Sequence, residues 1–260
     1  MATRFQGIAH RGGSQLAPEN TLAAFRTALT LPIDAIELDV QMTTDGHAVV
    51  FHDYTVERLT DGTGNILDLD FAYLRSLNAA AHFKGGWPEP QRIPTLREIL
   101  TFARGRTLVY IELKFSKRDG TYGRYPRIVE TVVNEIRATK MLASVLVMSF
   151  DLSLLPLVKA LEPSLQTGAI ISNDLWKAQN ANALEMLLSQ ATALGVNWLH
   201  MDCDLLTPEM ATAAHARGLK LNTWTANTLE EMVRVAALGV DSVTSDRPDL
   251  FAQARELLKV

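Results

Sequence analysis

The sequence predicts an α/β chain closed into a (β/α)₈ TIM barrel with a small insertion after the second strand. Three observations carry this expectation. Short apolar runs alternate with longer helical patterns about eight times in 260 residues, and repeated βα units imply a parallel sheet. The length suits closure, because such barrels need about 250 residues. Polar and charged residues gather where the strand-like runs end, the face on which barrels of this kind carry their sites. An open doubly wound sheet is the architectural alternative left by the same rhythm.

The strand-like runs are Gly7–His10, Ala35–Val40 with Ala48–Phe51, Leu108–Leu113, Val145–Ser149, Gln166–Ile171, Trp198–Met201, Leu219–Thr225 and Ser242–Thr244. The helical patterns are Leu22–Leu29, Leu96–Ala103, Ile128–Ala138, Leu152–Leu161, Ala183–Leu194, Pro208–Arg217, Leu229–Leu238 and Asp249–Leu258. Asn20 is placed to cap the first helix, and Thr207-Pro208 sets a capping hydroxyl before a proline in the first turn of another. Gly195, Gly218 and Gly239 follow the last turns of three helices, where a left-handed residue is wanted. The stretch Asp53–Pro94 breaks the rhythm and is rich in Gly, Asp and Asn. A segment of that length in a compact domain is usually functional or carries structure of its own. Residues 1–260 are therefore expected to form one catalytic barrel domain, with an insertion at roughly 53–94.

Composition excludes several classes. Hydrophobic residues at 47% and charged residues at 21% match a globular chain rather than a disordered one. A net charge of −4 gives no footprint for nucleic acid. The single cysteine, Cys203, allows neither an internal disulfide nor a thiolate metal cage and is expected to be a small buried residue. No window reaches the ~18 uninterrupted apolar residues of a membrane span, and Met1 to Gly7 has no signal-like apolar stretch. A cytoplasmic protein without stable membrane association is expected; nothing in the chain fixes an oligomeric state.

Glu37 and Asp39 lie two apart on a predicted strand, so both side chains point the same way. Glu112 and Lys114 repeat that spacing on the next. If these sides face the barrel axis, three carboxylates converge beside a lysine, and unpaired they would repel until one took up a proton. One hard divalent cation relieves this, and oxygen-only ligands suit Mg²⁺ or Ca²⁺. Structural ion pairs with Arg11 and Lys114 are the plainer alternative. His10 and His52 close two further strand regions. Two imidazoles flanking a phosphate serve as general acid and base, although either alone could be a hydrogen-bonded core residue. Arg11 is suited to grip a phosphate oxygen bidentately, and Lys114 to act on it as a point charge. His47, His82, His200 and His215 lack such company and are expected to be solvated or core residues. Ser149 has no nucleophile elbow around it.

Taken together, these pieces resemble the glycerophosphodiester phosphodiesterase family, nearest its bacterial cytosolic members. The residues that carry the resemblance are His10-Arg11-Gly12, Pro18-Glu19-Asn20-Thr21, Glu37-Leu38-Asp39-Val40, Thr44-Asp45-Gly46, His52-Asp53, Ile93-Pro94-Thr95-Leu96, Ile111-Glu112-Leu113-Lys114, Ser149-Phe150, Trp224-Thr225-Ala226-Asn227 and Asp246-Arg247-Pro248. They follow the family's order across nearly the whole chain, with a conservative departure at Ser245. The resemblance implies a barrel with an insertion after its second strand and hydrolysis of a glycerophosphodiester to glycerol 3-phosphate and an alcohol. It implies metal ligation by Glu37, Asp39 and Glu112, catalysis by His10 and His52, and phosphate contacts from Arg11 and Lys114. It also implies that Trp224 lines the pocket and that Asp53 lies near the metal. Attack by the neighbouring glycerol hydroxyl, through a cyclic phosphate, and direct attack by water are both compatible with these groups. Specificity for the alcohol is expected in Asp53–Pro94 and in loops such as Phe115–Pro126. Two rivals remain: a phospholipase-type barrel acting on lysophospholipids, and an aldolase using Lys114 as a Schiff base.

Overall fold

The computed structural model describes residues 5–171 and 183–259. Its strands are β1 (Gln6–Ala9), β2 (Ala35–Met42), β3 (Ala48–Val50), β4 (Leu108–Leu113), β5 (Ser116–Arg118), β6 (Thr121–Gly123), β7 (Val145–Ser149), β8 (Gln166–Ile171), β9 (Trp198–Asp202), β10 (Lys220–Trp224) and β11 (Ser242–Ser245). Eight of them are parallel, in the order β1-β2-β4-β7-β8-β9-β10-β11. The ring closes where β1 pairs with both β2 and β11, Ile8 opposite Ala35 and Gln6 opposite Ser242. The expected (β/α)₈ barrel is thus present. The run Ala48–Phe51 is not a ninth barrel stave: β3 turns back antiparallel on the upper half of β2, Val40 opposite Val50.

The α-helices are α1 (Leu22–Ala28), α2 (Phe71–Ser76), α3 (Leu96–Ala103), α4 (Ile128–Ala138), α5 (Leu154–Leu161), α6 (Ala183–Ala193), α7 (Pro208–His215), α8 (Leu229–Ala237) and α9 (Phe251–Leu257). Local chemistry accounts for several of their ends. In α3 a capping box joins Thr95 and Glu98, and Leu96, Ile99, Leu100 and Ala103 make one buried stripe. Thr228 and Glu231 do the same for α8. Two expected caps differ. The hydroxyl of Thr21, not Asn20, accepts from the Ala24 N–H at α1; Asn20 takes a left-handed conformation and sends its amide to Asp39 instead. Thr207 precedes α7 with Pro208 in its first turn, but its side chain makes no capping hydrogen bond. Gly195, Gly218 and Gly239 do have positive φ.

Strand alternation divides each barrel strand between two environments. On β2, Ile36, Leu38 and Val40 join the layer between sheet and helices, as do Val109, Ile111 and Leu113 on β4. The intervening side chains point inward. Ile8, Ala35, Tyr110, Leu146 and Trp198 fill the lower interior, and Met148 and Ile170 of the same cluster reach up to line the cavity above. Glu37, Asp39, Glu112 and Lys114 occupy its upper end, and all four are buried. Residues 51–95 carry a small core of their own, including Phe51, Val56, Ile66, Leu74 and Ile93. Helix α2 and the turn Ile66–Asp68 lie within this stretch; each is too short to show a period in the sequence. Among the described residues, no helix is long and apolar enough to cross a membrane.

Inside the barrel, a methyl group added at Gly168 on β8 would overlap the His200 imidazole on neighbouring β9 and approach Leu146 to 3.4 Å. Glycine is needed there because the ring fills its place. Gly168→Ala should therefore lower stability by about 1–3 kcal/mol, read as a lower urea midpoint. An unchanged midpoint would mean that the ring moves aside without strain.

Candidate active site

The site is assembled by strand register. Asp39 on β2 stands opposite Glu112 on β4, one step above the pair Glu37 and Tyr110. Spacing two along each strand and adjacency across them bring the carboxylates of Glu37, Asp39 and Glu112 together, with one oxygen of each within 4.8 Å of the others. Burial, together with the charges of Asp39 and Glu112, pushes the Glu37 carboxyl well above the usual range. Asp39 lies at the opposite extreme. Burial acts to raise it too, but Arg11 and Lys114, with His52 and the Asn20 amide, hold it far below the ordinary carboxylate value. The Lys114 ammonium is 2.8 Å from Glu112 and 3.6 Å from Asp39. Burial would lower its pKa, and these acids outweigh that and raise it.

At the end of β1, residues His10–Gly12 form a tight 3₁₀ turn with Arg11 left-handed. This turn aims the Arg11 N–H at Glu37 (2.9 Å). The guanidinium donates to Glu19 at 3.0 Å and approaches Asp39 to 3.3 Å. His10 Nδ1 meets Asp246 at 2.6 Å. Ser14 Oγ and the Asn227 amide also donate to Asp246, at 2.6 and 2.8 Å. The half-buried Asp246 is kept well below the ordinary carboxylate range by these bonds, against burial. An ionised carboxylate only accepts, so Nδ1 of His10 carries the proton and Nε2 is the atom available to a ligand. Past β3, His52 repeats the device. Its Nδ1 meets Asp53 at 2.7 Å, and Arg58 clamps Asp53 and reaches Glu19 at 2.8 Å.

The sequence-predicted residues thus meet. His10, Arg11, Glu37, His52, Glu112, Lys114 and Trp224 line one cavity of about 150 Å³, and Asp39 is buried at its wall beneath Arg11 and Lys114. Trp224 packs edge-on against Phe150, ring centroids 5.7 Å apart, and its indole N–H donates to the His200 carbonyl. Asp53 adjoins His52 in space as it does in the chain. Its carboxylate binds His52 and Arg58 and is not part of the acidic trio; adjacency to His52 in the chain reflects orientation of the ring. Sequence reasoning gave no role to Asp246, although it stands at a strand end inside a noted motif. It also missed Glu19, Arg58, Ser14 and Asn227, which lie in loops without periodic signal. Ser149 is buried and donates to the Leu113 carbonyl, a structural role. Cys203 is buried as expected.

The trio fits a hard cation on two grounds. Asp39 Oδ1 is buried without a hydrogen-bond partner among the described residues, an uncommon and costly state. Six carboxylates, Glu19, Glu37, Asp39, Asp53, Glu112 and Asp246, also face only three permanent cations in Arg11, Arg58 and Lys114. A second group, Asp202, Cys203 and Asp204, suits a metal less well, because burial pushes the Cys203 thiol up to about 11 and a thiol ligates as thiolate.

Residues 10–250 match the model of the glycerophosphoryl diester phosphodiesterase family. A glycerophosphodiester phosphodiesterase of Caldanaerobacter subterraneus subsp. tengcongensis is 35% identical over 93% of this chain and 94% of its own. A solved structure from Silicibacter pomeroyi superposes with a TM-score of 0.86 at 23% identity, covering 98% of this chain and 94% of that one, which bears on the fold alone. An Oleispira antarctica phosphodiesterase, solved in complex with the product sn-glycerol-3-phosphate, is 27% identical with a TM-score of 0.79 and 96% coverage of both chains.

His200 forms the floor of the cavity. It is buried, with Nδ1 3.1 Å from the Asn222 amide oxygen, and desolvation pushes its pKa down to about 4. A histidine that must stay neutral when folded supplies stability above its unfolded pKa, ~6.5, and loses it as pH falls through about 4. His200→Asn should remove up to about 3 kcal/mol of the acid-side decline, seen as a flatter plot of urea midpoint between pH 7 and 4. Parallel plots for the two proteins would refute the neutral, buried assignment.

Proposed function

The chain belongs to the glycerophosphoryl diester phosphodiesterase family and is a glycerophosphodiester phosphodiesterase, and on that premise we propose that it releases sn-glycerol 3-phosphate and an alcohol at the cavity between His10 and His52. Residues 1–260 act in this reading as one catalytic barrel, with 53–94 as its insertion. One observation carries it: two histidines, each with Nδ1 held by its own carboxylate, open on the same small cavity as the acidic trio. The product bound by the Oleispira antarctica protein is the product proposed here.

Glu37, Asp39 and Glu112 are the residues that hold one divalent cation, Mg²⁺ or Ca²⁺. When bound, it supplies Lewis-acid polarisation of the phosphoryl group. Arg11 and Lys114 bind the nonbridging oxygens, one as a planar fork and one as a point charge, and offset the charge that builds on them during transfer. Trp224 gives the glycerol carbons an apolar wall. One histidine accepts at Nε2 the proton of the attacking oxygen, from water or from the neighbouring glycerol hydroxyl, as that oxygen bonds to phosphorus. The other donates its Nε2 proton to the ester oxygen of the departing alcohol as the P–O bond to that oxygen breaks. Where the glycerol hydroxyl attacks, a water then opens the cyclic phosphate with the roles of the two histidines reversed. Asp246 and Asp53 are positioning residues: they fix the tautomer of each ring and keep it aimed.

The Schiff-base rival is disfavoured by the acids around Lys114, which hold its amine protonated, whereas a carbonyl nucleophile must be neutral. We place the reaction in the cytoplasm, on dissolved diesters rather than lysolipid surfaces.

A coupled assay of glycerol 3-phosphate release, run over several diesters, tests the function. Turnover of short-chain diesters but not of lysolipid vesicles is expected; the reverse result would favour the phospholipase reading. His10→Ala and His52→Ala should each lose about 10²–10⁴-fold in kcat with unchanged circular dichroism, and full activity in either variant removes that residue from acid–base catalysis. Chelator should abolish turnover, with Mg²⁺ or Ca²⁺ restoring it. Glu37→Ala should need far more cation than the wild type. Activity indifferent to chelator would leave the trio without its assigned role.

A further inference from the structure

Beyond the catalytic cavity lies a second, wider groove of about 490 Å³, and the two share the walls His52 and Lys114. The other walls come from two parts of the chain that are far apart in sequence. Tyr54, Thr55 and Asn65 belong to the segment after β3, and Lys117 belongs to the hairpin of β5 and β6. The Asn65 amide donates to the Lys117 carbonyl at 2.6 Å, and Arg118 pairs with Asp68, so the hairpin is tied to that segment at two points. A phosphodiester has two ester arms. A phosphate held at the shared wall Lys114 would leave room for one arm in the small cavity beside Trp224 and for the other in this groove.

The chemistry of the groove is set by one side chain. The Lys117 ammonium lies over two aromatic faces, 5.6 Å from the centre of Tyr54 and 5.0 Å from that of Tyr122. Those rings meet edge-on at 5.8 Å. Among the described residues, no carboxylate stands within 4.0 Å of this ammonium. Aromatic ring faces are what a quaternary ammonium ligand binds, but here the chain's own cation lies over both. Of the acids lining the groove, Asp53 is clamped by Arg58, and Asp119 sits at the exposed hairpin turn, where water screens its charge. A hydroxyl-rich alcohol meets the N–H donors of the Lys117 ammonium and the Asn65 and Thr55 side chains.

We infer that this groove is the subsite of the second alcohol, and that Lys117 selects an uncharged polyol such as glycerol or inositol over a quaternary ammonium such as choline. The inference rests on the phosphodiesterase reading above and assigns its substrate class. The test is kcat/KM for glycerophosphoglycerol, glycerophosphoinositol and glycerophosphocholine in the wild type, Lys117→Met and Lys117→Arg. The wild type should favour the polyol diesters over the choline diester by about tenfold or more. Lys117→Met frees the rings and should shift that ratio toward choline by a similar factor, while Lys117→Arg keeps the wild-type order. A wild type that handles choline as well as the polyols, or a Lys117→Met that scales all three substrates equally, overturns the selectivity of Lys117 alone. Failure of the wild type to cleave any of the three overturns the functional reading beneath it.

Discussion

Three carboxylates, Glu37, Asp39 and Glu112, are buried within reach of one another, and most of the surrounding structure answers that crowding. Mutual repulsion in a poorly solvated space costs several kcal/mol unless opposite charge or hydrogen bonding offsets it. Lys114 stands between Glu112 and Asp39. The left-handed turn at Arg11 delivers a backbone N–H to Glu37. Asn20 leaves the helix end that its residue type would favour and serves Asp39. Each is a local departure from ordinary preference, and each points to the same place. One oxygen of Asp39 has no hydrogen-bond partner among the described residues and lies 3.6 Å from the Lys114 ammonium.

The two histidines depend on the same economy of charge. Each is held by a carboxylate that is itself held by neighbours, Asp246 by Ser14 and Asn227 and Asp53 by Arg58. Arg58 and Arg11 converge on Glu19, so one acid in a loop links the supports of both halves of the site. This arrangement fixes ring orientation on both sides of the cavity with side chains that never reach into it. It also puts the carboxylates that hold the two rings just beyond the strand ends, and leaves the strands themselves to carry the acidic trio.

The outer groove belongs to a different layer of the structure. The barrel wall is common to any ester arm, whereas the segment after β3 and the hairpin of β5 and β6 are additions to the βα rhythm. Their meeting at Asn65 and Lys117 shapes the outer groove, where Lys117 is seated on Tyr54 and Tyr122.

The sequence by itself determined the barrel and the membership of the acidic cluster. Alternation of period two puts Glu37 and Asp39 on one side of a strand, and Glu112 and Lys114 on one side of the next, wherever those strands go. Strand-length apolar runs and capped helices are likewise local properties, and nearly all were found within a residue or two of their predicted bounds. Tertiary structure decided the rest: that Asp39 stands opposite Glu112, that Asp246 reaches His10 from the far end of the chain, that Asp53 orients a ring, and that β3 folds back on β2. Those contacts span up to 236 residues of separation. Composition and periodicity record which way a side chain faces along its own element; they carry no register between elements, and register is what brings charges from distant parts of the chain into one cavity.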